Sequence, residues 1–221
     1  MELSEKEQHK FYKVVVWYLA SYSAFSEDKK NCFDFKNLTY TKSDRNAFGV
    51  NIPKNVKSLD VACFSQCEVQ EVQLPDNLTS LAEYCFSKCY FLERVILSKN
   101  IIHIGSYCFS DCTGLTFLKF ECHIQTLEEN TFANCSSLKT LDIPNGVKTI
   151  GDECFVNCSA LEIVNMPYTL EEISTKCFEN CISLRDVVIP NGVTRLGKEC
   201  FLQCIRLTEI VKNERLYEDI Y

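Results

Sequence analysis

A cysteine-phenylalanine pair, with a second cysteine three residues later, returns along this chain at nearly constant spacing. The copies are Cys63-Phe64-x-x-Cys67, Cys85-Phe86-x-x-Cys89, Cys108-Phe109-x-x-Cys112, Thr131-Phe132-x-x-Cys135, Cys154-Phe155-x-x-Cys158, Cys177-Phe178-x-x-Cys181 and Cys200-Phe201-x-x-Cys204. The first step is 22 residues and the other five are 23. A fixed period of about 20–50 residues marks a stacked array, in which each unit buries its apolar face only against its neighbours. That constraint divides the 221 residues into a non-repetitive segment over 1–46, an array of about seven repeats plus a partial one over 47–216, and a tail over 217–221.

Within one unit, Leu141 and Ile143 alternate with polar neighbours, as in a short strand with one buried face. Pro144 ends sheet pairing because it has no N–H to donate, and Asn145-Gly146 marks a tight turn. Val147 and Ile150 point inward from a second extended piece. Cys154, Phe155 and Cys158 fall at helical spacing, so the spacing predicts one or two helical or 3-10 turns opposite the strand. The inner strand column reads Val50, Val72, Val95, Leu118, Leu141, Val164, Val187 and Ile210, and its partner Ile52, Leu74, Leu97, Phe120, Ile143, Met166 and Ile189 before breaking to Lys212. The polar run Lys212, Glu214, Glu218 and Asp219 predicts a C-terminal cap. At the other end, Phe11, Val14, Val15, Tyr18 and Tyr22 recur at spacings of three and four, which predicts a helical N-terminal cap.

Leu184 to Cys204, with Leu184, Val187, Ile189, Pro190, Gly192, Val193, Leu196, Gly197, Cys200, Phe201 and Cys204, resembles the repeat unit of the BspA-like, Treponema-type leucine-rich repeat family. The resemblance covers about three quarters of the chain. Ser98 and Glu121 depart from it where a proline ends the strand, and Thr131 departs from a cysteine column. It implies an α/β repeat solenoid with parallel strands on a concave face, and a function in protein binding. Such repeats occur in bacterial surface proteins and are expanded in parasitic protists such as Entamoeba and Trichomonas, so the resemblance also implies a protist source.

Cysteine is often buried as a compact hydrophobe, and the regular spacing of 13 of the 15 cysteines follows from the repeat itself; core packing is therefore the expectation, rather than zinc or disulfides. Cys32 and Cys122 lie outside those columns. Cys122 occupies a position where other units carry Lys99, Asn145 and Tyr168, so an exposed thiol beside His123 is expected there. Glycosylation sequons stand at Asn37, Asn77, Asn134 and Asn157, the last two generated by the repeat's Asn-Cys-Ser wording.

A net charge of −7 opposes binding to DNA or to anionic membranes, both of which need a basic field. The apolar stretch Val14 to Ala20 is too short to span a bilayer and follows Glu2, Glu5 and Glu7, unlike a secretory leader, so the cytoplasm is the expected compartment. No phosphate loop, zinc-protease, nucleophile-elbow or calcium-loop motif occurs, and His9, His103 and His123 are the only histidines. The expectation is a protein without enzymatic activity, cofactor or metal.

The side chains that alternate with the buried strand positions are the candidate binding residues: Arg94, Ile96, Phe117, Lys119, Thr140, Asp142, Ile163, Asn165 and Val188. Ile96, Phe117, Ile163, Val188 and Val211 are apolar where water favours polar groups, and Arg94 and Lys119 supply charge. The expected partner is a protein, such as a signalling enzyme of the phosphatase kind, held by an adaptor. A surface or secreted adhesin is the alternative.

Overall fold

The computed structural model describes residues 14–25 and 32–211. These wind into a β-solenoid of about eight turns whose strands pair in parallel with the turn before and the turn after. Each rung has three sides. The first side carries Arg94–Leu97 paired with Phe117–Phe120, then Thr140–Asp142, Ile163–Asn165, Asp186–Val188 and Glu209–Val211 in one sheet. The second carries strands of two or three residues in two sheets, from Ala20–Ser21 to His103–Ile104 and from Thr126–Leu127 to Arg195–Leu196. The third is built from the cysteine-phenylalanine segments.

That third side corrects the helical expectation. The segments are chains of turns in which the residues just before each of the two motif cysteines take positive φ, for example Glu153 (52°) and Asn157 (60°). The backbone zigzags, so alternate amides face opposite ways. Phe155 N–H donates across to Cys177 O (2.9 Å) in the next rung, while Cys158 N–H closes back onto Phe155 O (3.3 Å). A helix would satisfy both amides internally and leave the rungs unjoined. Here the third side is itself a ladder that joins rung to rung.

The interior follows the columns. Val95, Leu97, Leu141, Ile150 and Phe155 are fully buried. The phenylalanines stack in register, Phe109 on Phe132 at 5.3 Å between ring centres and 1° between planes, and Tyr40 begins the stack against Phe64 at 6.2 Å. Each such side chain contributes about 1.5–3 kcal/mol by leaving water. Gly151 is required by a close approach, since a Cβ there would lie 2.7 Å from the Glu129 amide nitrogen.

The expected N-terminal helix is not formed over its described part. Val14–Val16 is a strand paired with Phe33–Phe35, and Ala20–Ser21 is the first strand of the second side. Three successive β-branched valines favour the strand. Tyr22 lies in a 3-10 turn, and Phe11 falls outside the described residues. The parallel sheet thus runs through Leu38–Tyr40 into Ser58–Leu59, across residue 46. An α-helix, Lys42–Phe48, follows Leu38–Tyr40 and is opened by a capping box between Thr41 and Asp44. The polar run from Lys212 onward also lies outside the described residues.

Candidate protein-binding face

The alternation of the strands sends every second side chain outward on the first side, and the parallel register stacks those side chains rung over rung. Arg94 faces Phe117, Ile96 faces Lys119, Thr140 faces Ile163 and Asp142 faces Asn165. All nine candidate residues lie on this outward side. Phe117 is half-buried and the other eight are exposed. They do not form one continuous patch. The backbone ladder breaks between Phe117–Phe120 and Thr140–Asp142, which leaves one group around Arg94, Ile96, Phe117 and Lys119 and another around Ile163 and Val188.

In the first group the Arg94 guanidinium sits 4.2 Å over the Phe117 ring and 3.5 Å from a Glu71 carboxylate oxygen. A cation over an aromatic face contributes about 0.5–1 kcal/mol at an exposed site. The phenylalanine is therefore a supported platform, covered by arginine, and not a bare anchor. Ile96 stands beside it 43% exposed, and the Lys119 ammonium pairs with Glu121 at 2.7 Å. In the second group Ile163 is 50% and Val188 63% exposed, the latter stacked on the Val211 backbone. Between the groups, Asn165 donates to Asp142 at 2.6 Å, a polar bridge along the array.

The cysteine columns turn inward, as expected of core residues. Cys85, Cys108, Cys135, Cys154 and Cys177 are fully buried. Cys122 contradicts its expected exposure. It is buried, with burial pushing its thiol up to about 11, while His123 next to it is exposed on the opposite side of the chain. The two side chains diverge and form no nucleophile-base pair. Cys32 is exposed, and Cys67 is half-buried with the Arg45 guanidinium donating to its sulfur at 2.7 Å. Among the described residues no cluster of three histidine, cysteine or acidic side chains is arranged around a metal-sized site, and no helix is long and apolar enough to cross a membrane.

One exposed feature escaped the sequence argument. Tyr84 and Tyr107 stack at 4.8 Å and 12° on the third side. Their signal was present, because both precede the cysteine-phenylalanine pair and stand 23 residues apart.

Residues 29–155 and 125–218 match the family described as the BspA type leucine rich repeat region, in six copies. A leucine-rich repeat protein of Eubacterium ventriosum is similar in structure, with a TM-score of 0.65 and 26% identity over 69% of this chain and 42% of that one. Another, from Bacteroides ovatus, has a TM-score of 0.64 and 22% identity over 90% of this chain and 58% of that one. The chain thus spans about half the length of these two solved structures. No curated protein matches it in sequence.

Proposed function

Because the chain belongs to the BspA-type leucine-rich repeat family, we propose that it is a non-enzymatic protein-binding module. It takes its partner on the outward side chains of the first sheet, centred on Arg94, Ile96 and Phe117, with Ile163 and Val188 as a second contact. The observation that carries this is the ordered line Glu71–Arg94–Phe117, which holds a cation and an aromatic ring in fixed positions beside an exposed isoleucine. Aromatic and arginine side chains with little freedom to lose are the usual energetic centres of interfaces. Among the described residues no group of three histidine, cysteine or acidic side chains converges on one point, so binding fits this surface better than catalysis.

The cytoplasmic placement expected from the sequence draws no support from the family match. The surface or secreted alternative is compatible with it, and burial of the thiols favours that compatibility. A protonated, inaccessible cysteine is a poor substrate for oxidation, so the columns can persist outside the cell. The protist source remains part of this proposal; both solved relatives described above are bacterial.

The test is retention of a partner on immobilised protein, with Ile96→Asp and Phe117→Asp variants whose thermal midpoints are checked first. A partner held by the wild type and lost by folded variants supports the site; equal retention refutes it.

A further inference from the structure

On the first side, the backbone ladder that joins later rungs is missing where the array begins. Segments 50–52 and 71–74 are consecutive rungs, yet among the described residues the backbone groups of Val50, Asn51, Ile52, Gln73 and Leu74 form no hydrogen bond. The one sheet link onward is a single bridge between Glu71 and Arg94. The side chains open at the same place. Val50 belongs to the inner column, where Val95 and Leu141 are fully buried, but it is 45% exposed, and Ile52, Val72 and Leu74 are half-buried. A groove of about 520 Å³ runs between the two segments, past Asn51, Ile52, Lys54, Val72 and Leu74. A second, of about 360 Å³, continues it from Gln73 and Leu74 to Ile96.

Backbone N–H and C=O groups without hydrogen bonds, beside half-buried aliphatic side chains, define their ligand chemically. It must present alternating donors and acceptors along a line, with side chains on alternate faces every ~6.6 Å, which is what extended polypeptide supplies. We propose that this groove takes up an extended segment of a protein partner, which hydrogen-bonds to the free backbone of segments 50–52 and 73–74 and sets its apolar side chains against Val50, Ile52, Val72 and Leu74. The inference rests on the chain being a protein-binding array, but the site is separate from the Arg94–Phe117 platform and uses backbone rather than outward side chains.

The probe is a synthetic peptide with the sequence of residues 93–99, a strand this array already ladders on the same side. In the free protein, the amides of Asn51, Ile52, Gln73 and Leu74 should exchange with solvent without protection, and the peptide should slow them at least tenfold. N-methylation of alternate peptide amides should weaken binding at least tenfold, a control that needs no folded variant. Gln73→Pro or Asn51→Pro should weaken it similarly, and Phe117→Asp should not. Protected amides in the free protein, absence of peptide binding, or indifference to N-methylation would each overturn the proposal. A loss confined to Phe117→Asp would also overturn it and would place the peptide on the outward face instead.

Discussion

The Cys89 thiol donates to the carbonyl oxygen of Phe64, one rung back, across 3.1 Å. The same bond recurs from Cys112 to Phe86, Cys135 to Phe109, Cys158 to Phe132, Cys181 to Phe155 and Cys204 to Phe178. Each phenylalanine carbonyl already accepts a backbone amide inside its own turn, as Phe86 O does from Cys89 N–H at 3.3 Å. The thiol supplies the second, weaker donor from the next rung. Cysteine suits this column because it fills the core like a small hydrophobe yet still ties neighbouring rungs together.

Cys112→Ala should therefore lower stability by about 1–3 kcal/mol, through a small void and a lost donor, without leaving the carbonyl unpaired. Denaturant unfolding measures it. Thiol labelling of the native protein should modify Cys32 first and Cys67 more slowly, and reach the buried columns only on unfolding. Rapid native labelling of Cys112 or Cys158 would contradict their burial.

Asp44 is the next test, because one buried carboxylate joins two parts of the first segment. Its Oδ1 accepts from Ser23 N–H at 2.7 Å, and its Oδ2 accepts from the Thr41 amide at 2.9 Å and hydroxyl at 2.8 Å. Burial pushes this carboxyl up, but the bonds from Thr41 and Ser23 outweigh it and hold the group below the ordinary aspartate range. A depressed folded value means that its stabilisation is complete above about pH 4, where the unfolded group ionises, and is lost as pH falls further. Asp44→Asn should cost about 1–3 kcal/mol at pH 7 and should flatten the acid limb of the stability profile below pH 4. An unchanged acid limb would show that Asp44 is not the group responsible.

The buried columns were legible because one period repeats the same letters: Val95, Leu97, Leu141 and Phe155 fall inside where their spacing placed them. The third side was misread because an i, i+4 pair of cysteines fits a helix as well as two linked turns. A finer signal was available. Asp111, Asn134, Asn157 and Asn180 precede the second cysteine, and these residue types tolerate positive φ better than others. The open groove was not legible, since Val50 and Val72 are the same residues that close the interior elsewhere. The outward face of the first sheet was legible by alternation alone. What alternation could not show is Arg94 lying over Phe117, which depends on the register between rungs.

The asparagine column makes a prediction of its own. Asn180 donates to Asn157 at 3.0 Å, Asn157 to Asn134 at 2.9 Å and Asn134 to Asp111 at 2.8 Å, all from residues at φ near 60°. Asn157→Ala loses the side-chain bonds and keeps a side chain in the left-handed region, whereas Asn157→Gly loses the bonds but relieves the strain. Alanine should thus be the worse substitution, by about 1 kcal/mol. If alanine and glycine are equal, the cost lies in the ladder and not in the backbone. Because the Asn134 and Asn157 amides are engaged in this ladder, neither sequon should accept a glycan when the purified, folded protein is incubated with an oligosaccharyltransferase and its lipid-linked donor; mass spectrometry checks this, with the denatured protein as the positive control.

Eleven buried cysteines share one electrostatic property that should show in bulk. Burial, ahead of any other influence, raises the thiols of Cys63, Cys85, Cys89, Cys112, Cys122, Cys135, Cys154, Cys158, Cys177, Cys181 and Cys204 above the ordinary cysteine range, with Cys122 and Cys204 pushed to about 11 and Cys89 and Cys158 to about 12. A thiol that stays protonated in the fold but ionises in the unfolded chain favours folding fully below about pH 8.5 and loses that contribution as pH rises through the folded values. Each such thiol removes about 1.4 kcal/mol of stability per pH unit across that window. Even a few acting together exceed the whole stability of a domain of this size, about 5–15 kcal/mol, within two or three pH units. The fold should therefore be stable at pH 8 and unfold cooperatively near pH 10, and in a Cys32→Ser/Cys67→Ser variant thiolate absorbance should rise at the same point as the loss of β-sheet circular dichroism. Thiolates appearing before the fold is lost would mean that the columns are open to solvent, and a denaturation midpoint flat from pH 8 to 11 would mean that they are not raised at all.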